Sequence, residues 1–465
     1  MEKTLLRYRY IVSDFVAAFL VWVAFMYFRQ IVNDNILFEN VRIFIPKYNF
    51  ISSIVVYPFV CLFVHWLSGI YLHPMAQTGV SVFLATVASS VVISFVIFFA
   101  LMLDDVVVTY EYYYYSLLVL LGLNIVIILI FRLFIVSYVK RNFKTKKWAI
   151  DTAIIGLGEN ARKISRELAF STTDEFAGFI SPNGMPKHSK EKILGSFHEI
   201  GSLIDNYQIK KIIIALDSPD DYTLFSIINK LFNFNIEISF TPRINEIITG
   251  SAKMNSPKFS PLVSVTHSSM SDWQVCVKRF CDILFSIIAL IICTLPMIAI
   301  AIAIKKDSSG SVFFRQERIG RYGVPFKMLK FRTMRNNAEN GLPQLSNARD
   351  ERITKIGYFL RKYRLDEIPQ FINILRGEMS LVGPRPERAF FIKKITEDAP
   401  YYCLLYRIQP GLTSWGPIRI GYSDTIEKMI ERLNYDIIYM DNMSLFVDMK
   451  ILIYTFEIIF KGKGV

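Results

Sequence analysis

Apolar residues crowd the first third of the chain in four long runs, about 10–28, 51–72, 80–103 and 112–139. Each is long enough to cross a hydrocarbon core of ~30 Å as a helix, so the pattern predicts a four-helix transmembrane bundle over 1–145. Asp14 and Arg132 are the charges that interrupt the runs, and both read as lying near span ends. From Trp148 the pattern changes. Short β-rich runs at 149–155, 176–180, 211–216 and 236–240 alternate with helical stretches. That is the rhythm of a Rossmann-like α/β domain over 146–250. Residues 251–271 are rich in Ser, Pro and Thr without a sustained apolar period, which predicts a linker. A fifth apolar run, 282–304, is broken by Pro296 and lies near the start of a last domain, 272–465.

Charge orients these segments. The chain is 52% apolar and carries a net charge of +13. Excess positive charge suits anionic lipid, a polyphosphate or nucleic acid, and the high apolar content favours the first two over nucleic acid. Lys3, Arg7 and Arg9 precede the first span, and Lys140, Arg141, Lys144, Lys146 and Lys147 follow the fourth. Asp104, Asp105 and Glu111 mark the turn between spans three and four. The positive-inside rule then puts the N-terminus and everything from residue 140 onward in the cytoplasm, although Arg29, Arg42 and Lys47 in the first loop run against it. The tyrosines at 112–115 suit an interfacial aromatic belt.

A full crossing by 282–304 would export residues 305–465, which hold 27 Lys and Arg against 18 Asp and Glu. The charge rule opposes that, so the run is expected to enter the membrane and turn back at Pro296, with Thr294 satisfying a freed backbone group. A kinked but fully spanning helix is the alternative. Cys61, Cys276, Cys281, Cys293 and Cys403 form no Cys-x-x-Cys pair, and the five histidines are dispersed. Neither a disulfide framework nor a zinc site is readable.

Two sets of residues suggest chemistry. The first strand of the α/β domain runs into Gly156-Leu157-Gly158-Glu159-Asn160-Ala161. Gly156, Gly158 and Ala161 fit a turn that cradles a pyrophosphate at a helix N-terminus, or a strand-to-helix turn kept for tight packing. The second strand ends Phe179-Ile180-Ser181, without the acidic residue that a dinucleotide ribose wants. The second set follows the fifth apolar run. Arg318, Lys330, Arg332, Arg361 and Arg385 stand beside turn-forming Gly and Pro, and guanidinium forks match phosphate oxygens in pairs. Among them lies the acidic dyad Asp366-Glu367, in the run Arg364-Leu365-Asp366-Glu367. In such a field a carboxylate stays ionised and attacks phosphorus, or it binds Mg²⁺.

The order of these runs carries a resemblance. Lys330-Phe331-Arg332-Thr333-Met334, Arg364–Glu367, Gly383-Pro384-Arg385-Pro386-Glu387, Gln409-Pro410-Gly411-Leu412-Thr413 and the ending Asp448-Met449-Lys450 follow one another as in the bacterial sugar transferase family. These are polyprenyl-phosphate sugar-1-phosphate transferases, and the first two domains look like those of the family's long-form members. The resemblance implies transfer of a sugar-1-phosphate from a UDP-sugar to undecaprenyl phosphate, with release of UMP, at the start of exopolysaccharide, capsule or O-antigen synthesis. It also implies a mostly α catalytic domain with a re-entrant helix, on the cytoplasmic face of the bacterial inner membrane. Asp366 falls on the family's nucleophile and Mg²⁺ neighbour, and Glu367 on the residue that positions the metal or moves protons. Lys330–Met334 and Gly383–Pro386 fall on phosphate-binding runs. Leu295 before the kinking Pro, Gln409 before Pro-Gly and the run Trp415–Ile420 depart from the usual pattern. A one-step transfer with Asp366 holding only metal, or a nucleotide-sensing platform built on Gly156–Ala161, are the rival functions. A homodimer is a candidate assembly. The C-terminal stretch 444–460 reads as an interfacial amphipathic helix or a core helix.

Overall fold

The computed structural model describes residues 2–37, 48–104, 110–184, 191–217, 219–232, 234, 236–243, 260–265, 269–335, 344, 350–421 and 424–460. Arg42, Lys47 and Asp105 of the orientation argument lie outside these residues, as do 251–259 and 266–268 of the expected linker. The chain divides into two compact units, one of 1–147 with 271–278, the other of 148–270 with 279–465.

The first unit is built on four helices: α1 (Glu2–Leu37), α2 (Tyr48–Leu67), α3 (Gly79–Asp104) and α4 (Tyr110–Lys144). Lys3–Arg29, Gly79–Met102 and Tyr113–Lys144 are long and apolar enough to cross a membrane, and α2 adds a shorter apolar run, Ser53–Leu67. Trp22, Phe25, Tyr57, Ile93, Leu120 and Ile128 pack inside, while Phe59, Phe95, Phe99, Leu118 and Phe134 face outward. An apolar exterior of this kind is at home in lipid.

The two charges read as lying near span ends are in fact fully buried and paired. Arg132 of α4 donates to both oxygens of Asp14 on α1, at 3.0 and 2.7 Å. Arg132 also reaches the Thr86 hydroxyl of α3 at 2.8 Å, and the Tyr71 hydroxyl donates to Asp14 at 2.7 Å. His65 of α2 lies 3.2 Å from the same carboxylate. Neither charge could stay in the bundle alone, so together they tie all four helices to one point.

The second unit starts with the α/β domain. It holds β1 (Ile150–Ile155), α5 (Glu159–Ala169), β2 (Asp174–Ser181), β3 (Ile193–Ser196), α6 (Ile200–Asn206), β4 (Lys211–Ile214), α7 (Asp221–Leu231), β5 (Glu237–Phe240) and β6 (Val263–Ser264). The strand order is β3-β2-β1-β4-β5-β6, parallel except for β6. The sequence pattern missed β3 and β6, both short. The second corrects the linker expectation, since 263–264 folds back as an antiparallel edge strand on β5.

The glycine turn is present but its seat is taken. Both oxygens of Asp217 accept backbone N–H bonds at the start of α5, from Glu159 at 2.9 Å and Asn160 at 3.1 Å. A Cβ on Gly158 would lie 1.6 Å from an Asp217 oxygen, and Ala161 is fully buried under the turn. The position where a pyrophosphate would sit is filled by the chain's own carboxylate. This favours the packing reading of Gly156, Gly158 and Ala161 over the nucleotide reading.

The rest of the unit comprises α8 (Asp272–Asp307), β7 (Phe313–Ile319), β8 (Pro325–Phe331), α9 (Lys355–Lys362), α10 (Gln370–Arg376), β9 (Ser380–Val382), α11 (Ala389–Asp398), β10 (Gly411–Thr413), α12 (Trp415–Ile420), α13 (Ile426–Asp441) and α14 (Leu445–Phe460). The first turns of α8 group with the other unit. The helix α8 is continuous through Pro296. Thr294 bonds the Leu290 carbonyl at 2.7 Å, not the Ile292 carbonyl that Pro296 cannot serve, which corrects its expected role. One face of α8 is held near its start and again over its second half. Arg279 donates to the Ile374 and Leu375 carbonyls at the end of α10, and Asp282 accepts from Leu381 N–H at 3.0 Å. Further on, Cys293, Met297, Ile300 and Ile304 pack with Phe331, Leu360 and Ile368. These positions recur every three or four residues, so they form one stripe. The opposite face exposes Leu284, Ile288, Ile291, Leu295, Ile298 and Ile302. Helix α14 likewise buries Ile451 and exposes Phe446, Met449, Ile453 and Phe456.

Replacing Asp217 with Ala should speed amide hydrogen exchange at Glu159 and Asn160 about fivefold, the worth of a helix cap of about 1 kcal/mol. Unchanged exchange there would mean that the carboxylate does not cap α5.

Candidate active site

The acidic dyad lies in a one-turn 3-10 helix, Leu365–Glu367, that follows α9. Arg364 enters it with φ +53°, a left-handed conformation that costs a non-glycine residue energy. The turn buries both carboxylates, leaving Asp366 8% exposed. They part company in their partners. Glu367 Oε1 receives Lys330 at 3.0 Å and Arg385 at 3.5 Å, while Oε2 receives Arg364 at 3.4 Å. Among the described residues, no hydrogen bond or ion pair engages the Asp366 carboxylate, although the fields of Lys330, Arg361 and Arg364 reach it.

This division sets the electrostatics. Burial acts against the charge of Glu367, but Lys330, Arg385 and Arg364 outweigh it and hold the carboxyl well below its usual range. Burial pushes Asp366 the other way, above the usual carboxylate range, against the pull of Lys330 and with the Glu367 charge adding to the rise. The expectation was an Asp366 ringed and ionised by guanidinium groups. The cations instead gather on Glu367, because adjacent side chains on a tight turn point apart and one of them takes the bonds.

Each cation is placed by a separate element. Lys330 sits near the end of β8, opposite Phe314 in the β7–β8 hairpin. Asn373 of α10 anchors that strand, accepting from Leu329 N–H at 3.0 Å and donating to the Lys327 carbonyl at 2.9 Å. Arg385 follows β9, which pairs in parallel with β10. The two strands come so close that a Cβ on Gly411 would lie 2.1 Å from Gly383 N. Gly411 N–H donates to the Pro384 carbonyl and Gly383 N–H to the Thr413 carbonyl, at 2.9 and 3.0 Å, which fixes the backbone next to Arg385. Gln409 is also explained, since its amide donates to the Gly377 carbonyl.

Two of the expected phosphate-binding residues are committed elsewhere. Arg332 donates to the Ser308 and Ser309 carbonyls at 2.7 and 2.8 Å and is buried. It closes the turn after α8. Arg318 donates to Gln316, to the Pro386 carbonyl at 3.0 Å and to Glu387 at 2.9 Å. Arg361 is half-buried and donates to the Thr333 hydroxyl at 3.0 Å. Three residues were missed. Arg364 is a third ligand of Glu367, and its place just before the dyad was the available signal. Glu387 and Arg432 form a buried pair beneath the Arg385 loop, with Arg318 on the other oxygen of Glu387. No sequence spacing joins 387 to 432. Trp415 packs with Tyr454, ring centroids 5.7 Å apart.

As a metal site the dyad is sparse. Among the described residues no three His, Cys, Asp or Glu side chains gather around a point. Mg²⁺ commonly takes only one or two carboxylates and draws the rest of its oxygens from phosphates and water. The uncommitted Asp366 carboxylate fits that donor set, whereas the Glu367 oxygens are already occupied by cations.

The model of the family described as "Bacterial sugar transferase" matches residues 273–462. The chain is 34% identical over 230 residues to a "UDP-N-acetylgalactosamine-undecaprenyl-phosphate N-acetylgalactosaminephosphotransferase" of Aeromonas hydrophila, covering 50% of this chain and 54% of that protein. It is 33% identical over 256 residues to a "UDP-glucose:undecaprenyl-phosphate glucose-1-phosphate transferase" of Klebsiella pneumoniae, 55% of this chain and 54% of that one. It is 38% identical over 193 residues to an "Uncharacterized sugar transferase EpsL" of Bacillus subtilis, 41% of this chain and 90% of the relative. The chain thus spans about half the length of the first two relatives and nearly all of the third.

The Glu387 pair makes acid stability a test of this site. Burial disfavours its charge, but Arg432, Arg318 and Arg385 hold its carboxyl below the usual range. A depressed folded value means that its stabilisation is complete above the unfolded value, about 4.3, and is lost as pH falls through the folded value. Thermal stability of the wild type should therefore drop steeply below about pH 4. Glu387→Ala should cost about 3–5 kcal/mol at pH 7 by leaving buried guanidinium groups unpaired, and should flatten that acid limb. An unchanged pH profile would show that the pair contributes little.

Proposed function

This chain belongs to the bacterial sugar transferase family, and from that premise we propose that it transfers a sugar-1-phosphate from a UDP-sugar to undecaprenyl phosphate, releasing UMP. The observation that carries the reading is the split within the dyad. Glu367 gathers Lys330, Arg364 and Arg385 into one patch, and the neighbouring Asp366 carboxylate is left without an ion pair. The three cations remain 17%, 21% and 23% exposed, so they have surface left for a substrate's phosphates.

In the proposed reaction a carboxylate oxygen of Asp366 bonds to the sugar-bearing phosphorus. The bond from that phosphorus to the bridging oxygen of the diphosphate breaks, and UMP departs with that oxygen. An oxygen of undecaprenyl phosphate then attacks the same phosphorus and frees the carboxylate. A carboxylate whose basicity has been raised by burial is a stronger nucleophile than one in water, which suits Asp366 to the first step. Glu367 holds the cations in place, and positioning with charge neutralisation supplies most of the rate. When bound, Mg²⁺ on Asp366 and the diphosphate would spread the negative charge there. Attachment of the sugar to lipid opens exopolysaccharide, capsule or O-antigen assembly.

The site belongs, in this reading, on the cytoplasmic face of the inner membrane. The basic residues from Lys140 to Lys147, at the end of α4 and just beyond it, support that orientation. The contacts at both ends of α8 support entry into one leaflet and return over a full crossing. Arg279 and Asp282 near one end, and Ile300 and Ile304 near the other, are all held by the same half of the chain, which a crossing helix would have to divide between two sides.

Asp366→Asn should abolish UMP release yet retain UDP-sugar binding, and a radiolabelled sugar-phosphate should become attached to the wild type alone. Turnover without any attached label would favour the one-step route. Cysteines placed at Lys278 and Lys306 should both react with an impermeant reagent from the cytoplasmic side. Reaction from opposite sides would establish a crossing helix.

A further inference from the structure

The α/β domain has a fold used for nucleotides, a seat closed by Asp217, and no part in the chemistry proposed above. Its core nevertheless reaches into the catalytic half. The 3-10 helix Pro400–Arg407, between α11 and β10, divides its side chains between two cores. Cys403, fully buried, joins Ile227, Ile228 and Phe232 in the α/β core, with Leu404 and Tyr406 packed against it. Phe225 meets Tyr401 and Phe232 meets Tyr406, ring edge to face, with centroids 6.1 and 5.9 Å apart. Tyr402 and Leu405 point the other way, into the core of Phe391, Ile392 and Leu433.

Two of the three cations of the patch trace back to this segment. Its chain runs on through Gln409 and Pro410 into Gly411, whose N–H holds the Pro384 carbonyl beside Arg385. The carbonyl of Arg407 accepts from Arg321 at 3.1 Å, in the turn of the hairpin whose second strand carries Lys330. A shift of the segment would therefore move Arg385, the hairpin, or both.

We propose that the α/β domain is an internal brace, which through Pro400–Arg407 sets the Arg385 loop and the β7–β8 hairpin, with Phe225 and Phe232 as positioning residues. The proposal rests on the transferase reading of the cation patch. It gives the domain a mechanical role in place of a ligand. A displacement of about 1 Å in a group that positions substrate costs up to ~100-fold in rate, so a brace of this kind is worth keeping.

The test is a double-mutant cycle in the full-length protein, read as UMP release from its UDP-sugar. Phe232→Ala should lower kcat/KM about 10- to 100-fold. Arg385→Lys should lower it as well, and the loss in the double variant should fall well short of the product of the two single losses. Phe232→Leu should restore most of the loss. Multiplying losses in the double variant, or full activity in Phe232→Ala, would overturn the brace. Phe225→Ala, at a less buried position, runs the same cycle if Phe232→Ala does not fold. Silence of the unaltered chain with every UDP-sugar would count against the transferase reading itself, and against the brace's phosphate role with it.

Discussion

Burying a carboxylate is costly unless cations come with it, and around Glu367 three of them do. Lys330 arrives on a hairpin strand, Arg364 on the dyad's own turn, and Arg385 on a loop after a short parallel pair. Each of these segments is also held by its own packing, and Glu367 is the point where their cations meet. Glu367 thus gathers the cations onto itself and leaves Asp366 with a raised affinity for protons and, among the described residues, no ion pair. The two adjacent residues acquire opposite characters from one constraint.

The same accounting of buried charge explains where the other arginines go. Arg332 closes the turn after α8 on backbone carbonyls, while Arg318 and Arg432 share Glu387. A guanidinium suits phosphate and carbonyl oxygens equally well, so residue type alone does not separate a ligand-binding arginine from a structural one. In the membrane bundle the rule operates once more. Asp14 and Arg132 are 118 positions apart and are tolerated because each is the other's partner.

Glycines and a proline-rich loop convert these charges into a placed site. The near contact of Gly383 and Gly411 admits no side chain, and it holds the backbone beside Arg385. Behind it, the segment Pro400–Arg407 is gripped by two cores at once. Rigid support behind a charged group preserves its geometry when a charged substrate arrives. In the α/β domain the complementary economy is visible, for Asp217 satisfies the start of α5 with no need of a ligand.

Much was legible from residue order alone. Long apolar runs in water-excluding lengths require membrane helices, so α1 to α4 and α8 follow from hydropathy. Alternating short strands and helices mark the parallel sheet, and the ordered motifs around Asp366 mark the family. These are local or order-dependent signals, and they survive without coordinates. The strands β3 and β6 were too short to stand out, and the partners of Asp14, Glu367 and Glu387 lie far away in sequence. Only tertiary structure decided which carboxylate takes the cations, which arginines are spent on carbonyls and carboxylates within the chain, and that the glycine turn is already filled. Pairing energies depend on distance and burial in three dimensions, and the chain brings those groups together only when it folds.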